Sequence, residues 1–236
     1  MDIGKAIGYP LKDKNWIVKV IIGTIIFIIP IVDFISFGYL VRVIRQVLSD
    51  DEEKMPEWDD FGGDFVRGLM VIIGIIIYSI PIIIVSCCLS LIGGVVGGDD
   101  GNALSALVSC CLFIISLAYG VILGPLVAAA IIHYSEKEDF GAFLDFRARF
   151  DEVRNHASDA MMFVIWFILL EIIVGIVFGL TVWICGLGLV FLWGGYIAGA
   201  HLTAQYGQAL RGSDLAAFAT ASASPSTPPD HIEPLE

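Results

Sequence analysis

Four polar side chains lie within long apolar segments of the sequence, where chemistry is most expected. Glu171 lies near the middle of one such segment, and Tyr78, Tyr119 and Tyr196 lie at similar depths in the others. Ionisable groups inside a membrane are costly to bury and often functional. Glu171 is therefore a candidate site for a proton, a cation or transport. The alternative is a protonated carboxyl group that hydrogen-bonds to a tyrosine or a backbone carbonyl.

Asp33 is the next candidate, because it interrupts an apolar run shortly after Pro30. A proline kinks or ends a helix, and a carboxylate at mid-bilayer costs about 2.5 to 3.5 kcal/mol. Two interpretations remain open. Residues 17–40 form one tilted transmembrane helix, or residues 17–48 form a re-entrant hairpin that turns near Pro30. In the hairpin, Asp33 is expected to cap the returning helix.

Cysteine and histidine give little support for catalysis or metal binding. The pairs Cys87-Cys88 and Cys110-Cys111 allow a disulfide between two helices, but they also fit as small apolar residues in packed helices. His133 and His201 are expected to anchor the inner ends of their helices at the membrane interface. Phosphate-binding, metalloprotease and nucleophile-elbow motifs are missing from the sequence. We therefore predict a protein that is not an enzyme and needs no cofactor or metal.

The composition is typical of an integral membrane protein. The chain is 57% hydrophobic and 16% charged, whereas soluble domains average about 45 to 50% apolar and about 25% charged residues. The net charge of −12 argues against a nucleic-acid partner, which would favour a basic surface. The expected partner is the lipid bilayer, with a further copy of the chain or another membrane protein as possible additions.

Hydropathy predicts an all-α, polytopic protein with one membrane domain over residues 1–210. Four full transmembrane helices are expected in two hairpins, followed by a disordered cytoplasmic tail over 211–236. Small-xxx-small glycine pairs within the last three helices favour packing inside the chain over dimerisation. The predicted helices cover residues 68–92, 103–134, 160–184 and 188–206, and the glycine pairs are Gly120/Gly124, Gly175/Gly179 and Gly195/Gly199.

Two further segments have the pattern of amphipathic helices at the membrane interface. In each segment apolar residues recur on one face while arginines fall elsewhere. The faces comprise Phe34, Phe37, Val41, Ile44 and Leu48 in the first segment, and Phe143, Phe146, Phe150 and Val153 within residues 135–159 in the second.

The distribution of lysine and arginine favours the re-entrant hairpin. Four lysines or arginines lie in the leader (residues 1–15) taken together with Lys19, four lie in the segment 40–67, and four lie in the segment 135–159. The tail carries one. A hairpin places all thirteen on one side, whereas a span over residues 17–40 separates the leader from the other nine. The positive-inside tendency therefore predicts cytoplasmic charged loops and a cytoplasmic tail.

Several segments together resemble a known family. They are AIGYPLKDKNWIVKVIIG, FGYLVRVIRQVL, PEWDDFGGDFVRGL and FGAFLDFRARFDEVR, and Tyr39-Leu40, Arg42, Arg45 and Pro56-Glu57-Trp58 are their most specific part. In these the chain resembles the DUF4013 family, a domain of unknown function found in prokaryotic membrane proteins. The resemblance implies a bacterial or archaeal cell membrane but no activity, substrate or catalytic residue.

The sequence supports two hypotheses about function. Amphipathic helices and few buried polar groups favour a non-enzymatic scaffold that organises or shapes the membrane. The alternative is a small transporter or channel that uses Glu171. The interfacial motif of Arg42, Arg45, Pro56, Glu57 and Trp58 is expected to hold its loop to the membrane surface or to a partner.

Overall fold

All regular elements in the described part of the chain are helices. The computed structural model describes residues 1–97, 102–184 and 186–223. The helices are α1 (Ile3–Lys12), α2 (Trp16–Ile28), α3 (Asp33–Leu48), α4 (Phe61–Gly97), α5 (Asn102–Lys137), α6 (Gly141–Leu144), α7 (Phe146–Asn155), α8 (Ala157–Thr181) and α9 (Leu187–Ala223).

Four of these helices are long and apolar enough to cross a membrane, which confirms the predicted all-α polytopic fold. The qualifying segments are Phe61–Leu91, Ala106–Lys137, Ala157–Thr181 and Leu187–Gly212. Helices α4 and α5, with 37 and 36 residues, extend beyond the predicted spans. No proline lies in the added ends to stop the helices.

The first apolar run does not form one continuous helix over residues 17–40. Helix α2 ends at Ile28, Ile31 adopts a positive φ of 74°, and α3 begins at Asp33. Pro30 cannot donate an amide hydrogen bond, so the helix ends there. The 13 residues of α2 span about 20 Å, less than a bilayer core of about 30 Å. Re-entry into the membrane remains a prediction.

Helix α3 packs against other helices of the bundle, and its predicted position at the membrane interface stays a prediction. None of its residues is exposed, and it packs against α2, α4, α5 and α9. Its supposed polar face includes Gly38, where a Cβ atom would lie 1.8 Å from the Asp64 carbonyl oxygen. A Cβ at Gly68 would lie 1.8 Å from the Phe34 carbonyl oxygen. These two glycines let α3 and α4 pack backbone to backbone.

The second predicted amphipathic segment is divided into shorter helices. Helix α5 continues to Lys137, and α6 and α7 follow, separated at Asp145. Phe143 of α6 is fully buried against Gly74. Helix α7, by contrast, has no buried residue. Only α7 therefore keeps the predicted character of a surface amphipathic helix.

The last two spans reverse direction at Gly186, whose φ of +77° favours glycine. Helix α9 continues to Ala223, beyond residue 211, where the tail is predicted to begin. Alanines in this stretch favour helix. Position 185 and the tail from 224 lie outside the described residues.

Burial is concentrated at one end of the bundle. The stretch 197–207 of α9 is buried throughout, whereas none of the most apolar window of α5 is buried. Among the predicted glycine pairs, a Cβ atom at Gly195 would lie 2.6 Å from Val174, and one at Gly199 would lie 3.6 Å from the Phe167 ring. The other two pairs were predicted wrongly, because a Cβ at any of their four glycines would meet nothing within 4 Å.

Candidate functional site

A buried lysine joins the N-terminal helices to the loop between α3 and α4. The Lys19 side chain is 4% exposed, and its Nζ donates to Asp13 Oδ2 at 2.7 Å, Glu57 Oε1 at 2.7 Å and the Met55 carbonyl at 2.8 Å. Burying an ammonium group is costly unless partners satisfy its hydrogens. We call Asp13, Lys19 and Glu57 the lysine clamp.

Asp13 is the buried acid of the lysine clamp. It also accepts hydrogen bonds from the backbone N–H groups of Asn15, at 2.7 Å, and Met55, at 3.0 Å. Burial acts to raise the pKa of Asp13, but Lys19 and the two N–H groups outweigh it, so the pKa lies below its ordinary value. The carboxylate form therefore stabilises the fold.

The predicted interfacial motif makes contacts within the chain. Tyr39 Oη donates to the Pro56 carbonyl at 2.9 Å, and the Tyr39 ring stacks on Trp58 with centroids 3.9 Å apart. Trp58 Nε1 donates to the Lys19 carbonyl at 3.0 Å. The motif thus fixes the 49–60 loop to α2 and α3.

Arginines next to this motif are paired with acids. Arg42 bonds Asp59 at 2.7 Å and the fully buried Asp64 at 3.2 Å. Arg67 bonds Asp64 and Asp60, both at 2.9 Å. Two arginines from different helices therefore neutralise one buried carboxylate, and they tie the start of α4 to α3.

Glu138 extends this network to the end of α5. Its Oε1 accepts from Arg45 at 2.6 Å and from Arg67 at 2.9 Å. The two guanidinium groups hold the pKa of Glu138 below its ordinary value. Arg42, Arg45 and Arg67 thus serve chiefly to join α3, α4 and α5.

His201 is fully buried, contrary to the predicted interfacial position. Its ring lies 4.9 Å from the Tyr9 ring, its Nδ1 lies 3.0 Å from Gln205 Nε2, and its Nε2 lies 3.5 Å from Glu52 Oε1. The sequence offered one signal for this site, since His201 and Gln205 are four residues apart on one helix face. His133 instead pairs with Glu152 at 3.0 Å.

Tyr78 and Tyr119 meet between α4 and α5. Tyr119 Oη donates to the Tyr78 carbonyl at 2.7 Å, close to Pro81, where proline disturbs the hydrogen bonding of the helix. Tyr78 is 5% exposed and its ring lies 4.9 Å from the Phe146 ring. The Tyr78 hydroxyl has no hydrogen-bond partner among the described residues.

Two apolar grooves adjoin α7, and Tyr78 and Tyr119 line the larger of them. The larger has a volume of about 620 Å³ and the smaller about 340 Å³. Leu126 and Phe150 line both grooves, Arg147 lines the larger, and Arg154 lines the smaller. No sequence pattern indicates these grooves, because their walls come from helices that are distant along the chain.

The remaining candidates do not join a common site. Glu171 is exposed on α8. Asp33 is the first residue of α3, while Val32 occupies the N-cap without a side-chain hydrogen bond, so the predicted capping is wrong. Its carboxylate still lies at the positive end of the helix dipole.

In the part of the chain that the structure describes, cysteines and acids form no evident metal centre. The thiols of Cys87, Cys88, Cys110 and Cys111 are free and exposed. Within the described ranges, no three His, Cys, Asp or Glu side chains are grouped as metal ligands would be.

These features define a multi-pass, all-α membrane protein with its buried ion pairs gathered at one end of the bundle. The chain belongs to the family described as "Protein of unknown function (DUF4013)", which matches residues 21–187. This match confirms the predicted resemblance. Neither the curated proteins nor the solved structures gave a match.

Proposed function

We propose that this protein is a non-enzymatic component that organises the membrane around it. Helix α7 carries the proposal. Phe146 and Phe150 of this helix are 46% and 53% exposed, with Arg147 and Arg154 on the same helix. Aromatic rings beside arginines are typical of a helix that inserts shallowly at the lipid interface. The proposed orientation has the charged loops and the tail in the cytoplasm.

The ion pairs at this one end of the bundle support a scaffold rather than a catalyst. The buried charges of Lys19, Asp13 and Asp64 each have partners of opposite sign within the chain. Such pairing fixes the relative positions of helices. It leaves the exposed apolar faces of α5, α7 and α8 for lipid or for neighbouring proteins.

The test is the shape of vesicles that contain the purified full-length protein. We expect electron cryomicroscopy to show smaller vesicle diameters as the protein-to-lipid ratio rises, because α7 widens one leaflet. The double variant Phe146→Ser/Phe150→Ser should lose most of this effect. Phe113→Ser, which changes a 68% exposed ring on α5, is the matched control and should keep it. Diameters that never change, or an equal loss in the control, would contradict the proposal.

Transport through Glu171 is the second candidate, favoured by an exposed carboxyl group on an otherwise apolar span. In one copy of the chain Glu171 faces outward, so a pathway would need a second copy beside α8. The same vesicles, loaded with a pH-sensitive dye, distinguish the two functions. A proton flux that Glu171→Gln abolishes would replace the scaffold with a transporter.

A further inference from the structure

We propose that the two grooves beside α7 bind one anionic phospholipid, with its phosphate at Arg147 and Arg154 and its acyl chains in the grooves. This site shares Phe146 and Phe150 with the proposed membrane-inserting face of α7, but its test measures lipid retention in arginine variants and not vesicle shape. It rests on the shape of the grooves, the unpaired arginines and the Tyr78 hydroxyl.

The grooves have a shape that suits a lipid with two chains. Leu126 and Phe150 form a wall common to both, so the grooves run side by side. Their other walls are apolar residues of α4 and α5 for the larger groove, and of α5 and α8 for the smaller one. Acyl chains bury apolar surface in such grooves without losing hydrogen bonds.

The charge at the grooves is positive, although the whole chain is acidic. Arg147 and Arg154 are seven residues apart, two turns along one face of α7. Neither makes an ion pair in the part of the chain that the structure describes, whereas Arg149 between them bonds Glu152 at 2.6 Å. Arginine pairs well with phosphate, and basic pockets between membrane helices bind anionic headgroups.

Tyr78 supplies the third observation. It lines the larger groove and is only 5% exposed, yet its hydroxyl has no partner among the described residues. A buried hydroxyl without a hydrogen bond costs free energy. A lipid ester carbonyl in the groove would supply the missing acceptor.

The experiment is native mass spectrometry of the full-length protein in mild detergent with equal amounts of phosphatidylglycerol and phosphatidylethanolamine. We expect preferential retention of phosphatidylglycerol. Arg147→Ala and Arg154→Ala should each lower that retention roughly fivefold, from the contribution of one arginine at an anionic surface. Lys14→Ala removes an exposed charge away from the grooves and should change nothing.

Two further arms separate the lipid from its headgroup. Leu123→Trp fills the larger groove and leaves both arginines, so it should reduce retention of both lipids. Millimolar inorganic phosphate should not displace phosphatidylglycerol, because the chains contribute to binding. Equal retention of the two lipids, unchanged retention in both arginine variants, or displacement by phosphate would overturn the proposal. A thermal melt of each variant checks that it is folded.

Discussion

At the scale of single residues, the lysine clamp shows how a charge is held in an apolar setting. Lys19 would be costly to bury alone, and Asp13, Glu57 and the Met55 carbonyl satisfy its three hydrogens. Because Asp13 is 6% exposed and Lys19 is 4% exposed, removing Asp13 leaves the buried ammonium group with only the largely exposed Glu57 and the Met55 carbonyl as partners. Such a loss is more destabilising than losing a surface ion pair.

We predict that Asp13→Asn lowers the free energy of unfolding by about 3 kcal/mol at neutral pH. The Asp13 pKa is lowered in the fold, so its stabilisation is complete above the unfolded-state value of 3.8. That stabilisation is lost as the pH falls through the lower folded-state pKa. Thermal melts from pH 7 to pH 2 should therefore show a smaller acid-induced decrease in Tm for Asp13→Asn than for the wild type.

A control separates the loss of the buried clamp from the loss of an exposed ion pair. Lys12→Ala breaks an exposed ion pair with Glu52 and should cost less than about 1 kcal/mol. An Asp13→Asn protein as stable as the wild type would show that the clamp contributes nothing.

At the scale of helices, the contact between α3 and α4 depends on glycine. Gly38 and Gly68 lie where a Cβ atom would overlap backbone atoms of the facing helix. Backbone atoms cannot move aside as a flexible side chain can, so the helices would have to separate. That separation would also disturb the bonds from Arg42 and Arg67 to Asp64.

We predict that Gly38→Ala destabilises the protein by at least about 1 to 3 kcal/mol, the usual range for overpacking. Gly120→Ala is the matched control, since its Cβ would meet nothing within 4 Å. Alanine is also the better helix former, so the control should be neutral or slightly stabilising. Chemical denaturation in detergent measures both, and equal midpoints would contradict the close contact.

At the scale of the whole molecule, the topology depends on how the α2–α3 hairpin meets the bilayer. The side of the membrane on which the leader lies follows from that arrangement. A hairpin that re-enters leaves the leader on the side of the other charged loops, and a fifth crossing places it opposite.

We predict that a cysteine at Lys14, in an otherwise cysteine-free variant, reacts with an impermeant thiol reagent only after cell lysis. A cysteine at Lys137 should behave in the same way, because it lies at the end of α5 predicted to be cytoplasmic. A cysteine at Asp100 should react in intact cells. Labelling of position 14 from outside would show that the first segment crosses the membrane.

The sequence alone determined the class and much of the helical plan. Apolar runs long enough to cross a bilayer predict the spans, and Pro30 and Gly186 predict where helices end. Run length and helix-ending residues are properties of one segment of chain, so they can be recognised without the tertiary structure. The family resemblance likewise followed from contiguous residues.

Only the tertiary structure decided which faces of those helices are covered. Periodicity places an apolar stripe on α3, but the small residue Gly38 lets its other side pack closely too, so no residue of the helix is fully exposed. The burial of His201 and the pairing of Lys19 with Asp13 likewise depend on elements that hydropathy cannot bring together. The physical reason is that burial belongs to contacts between segments, whereas sequence patterns describe one segment at a time.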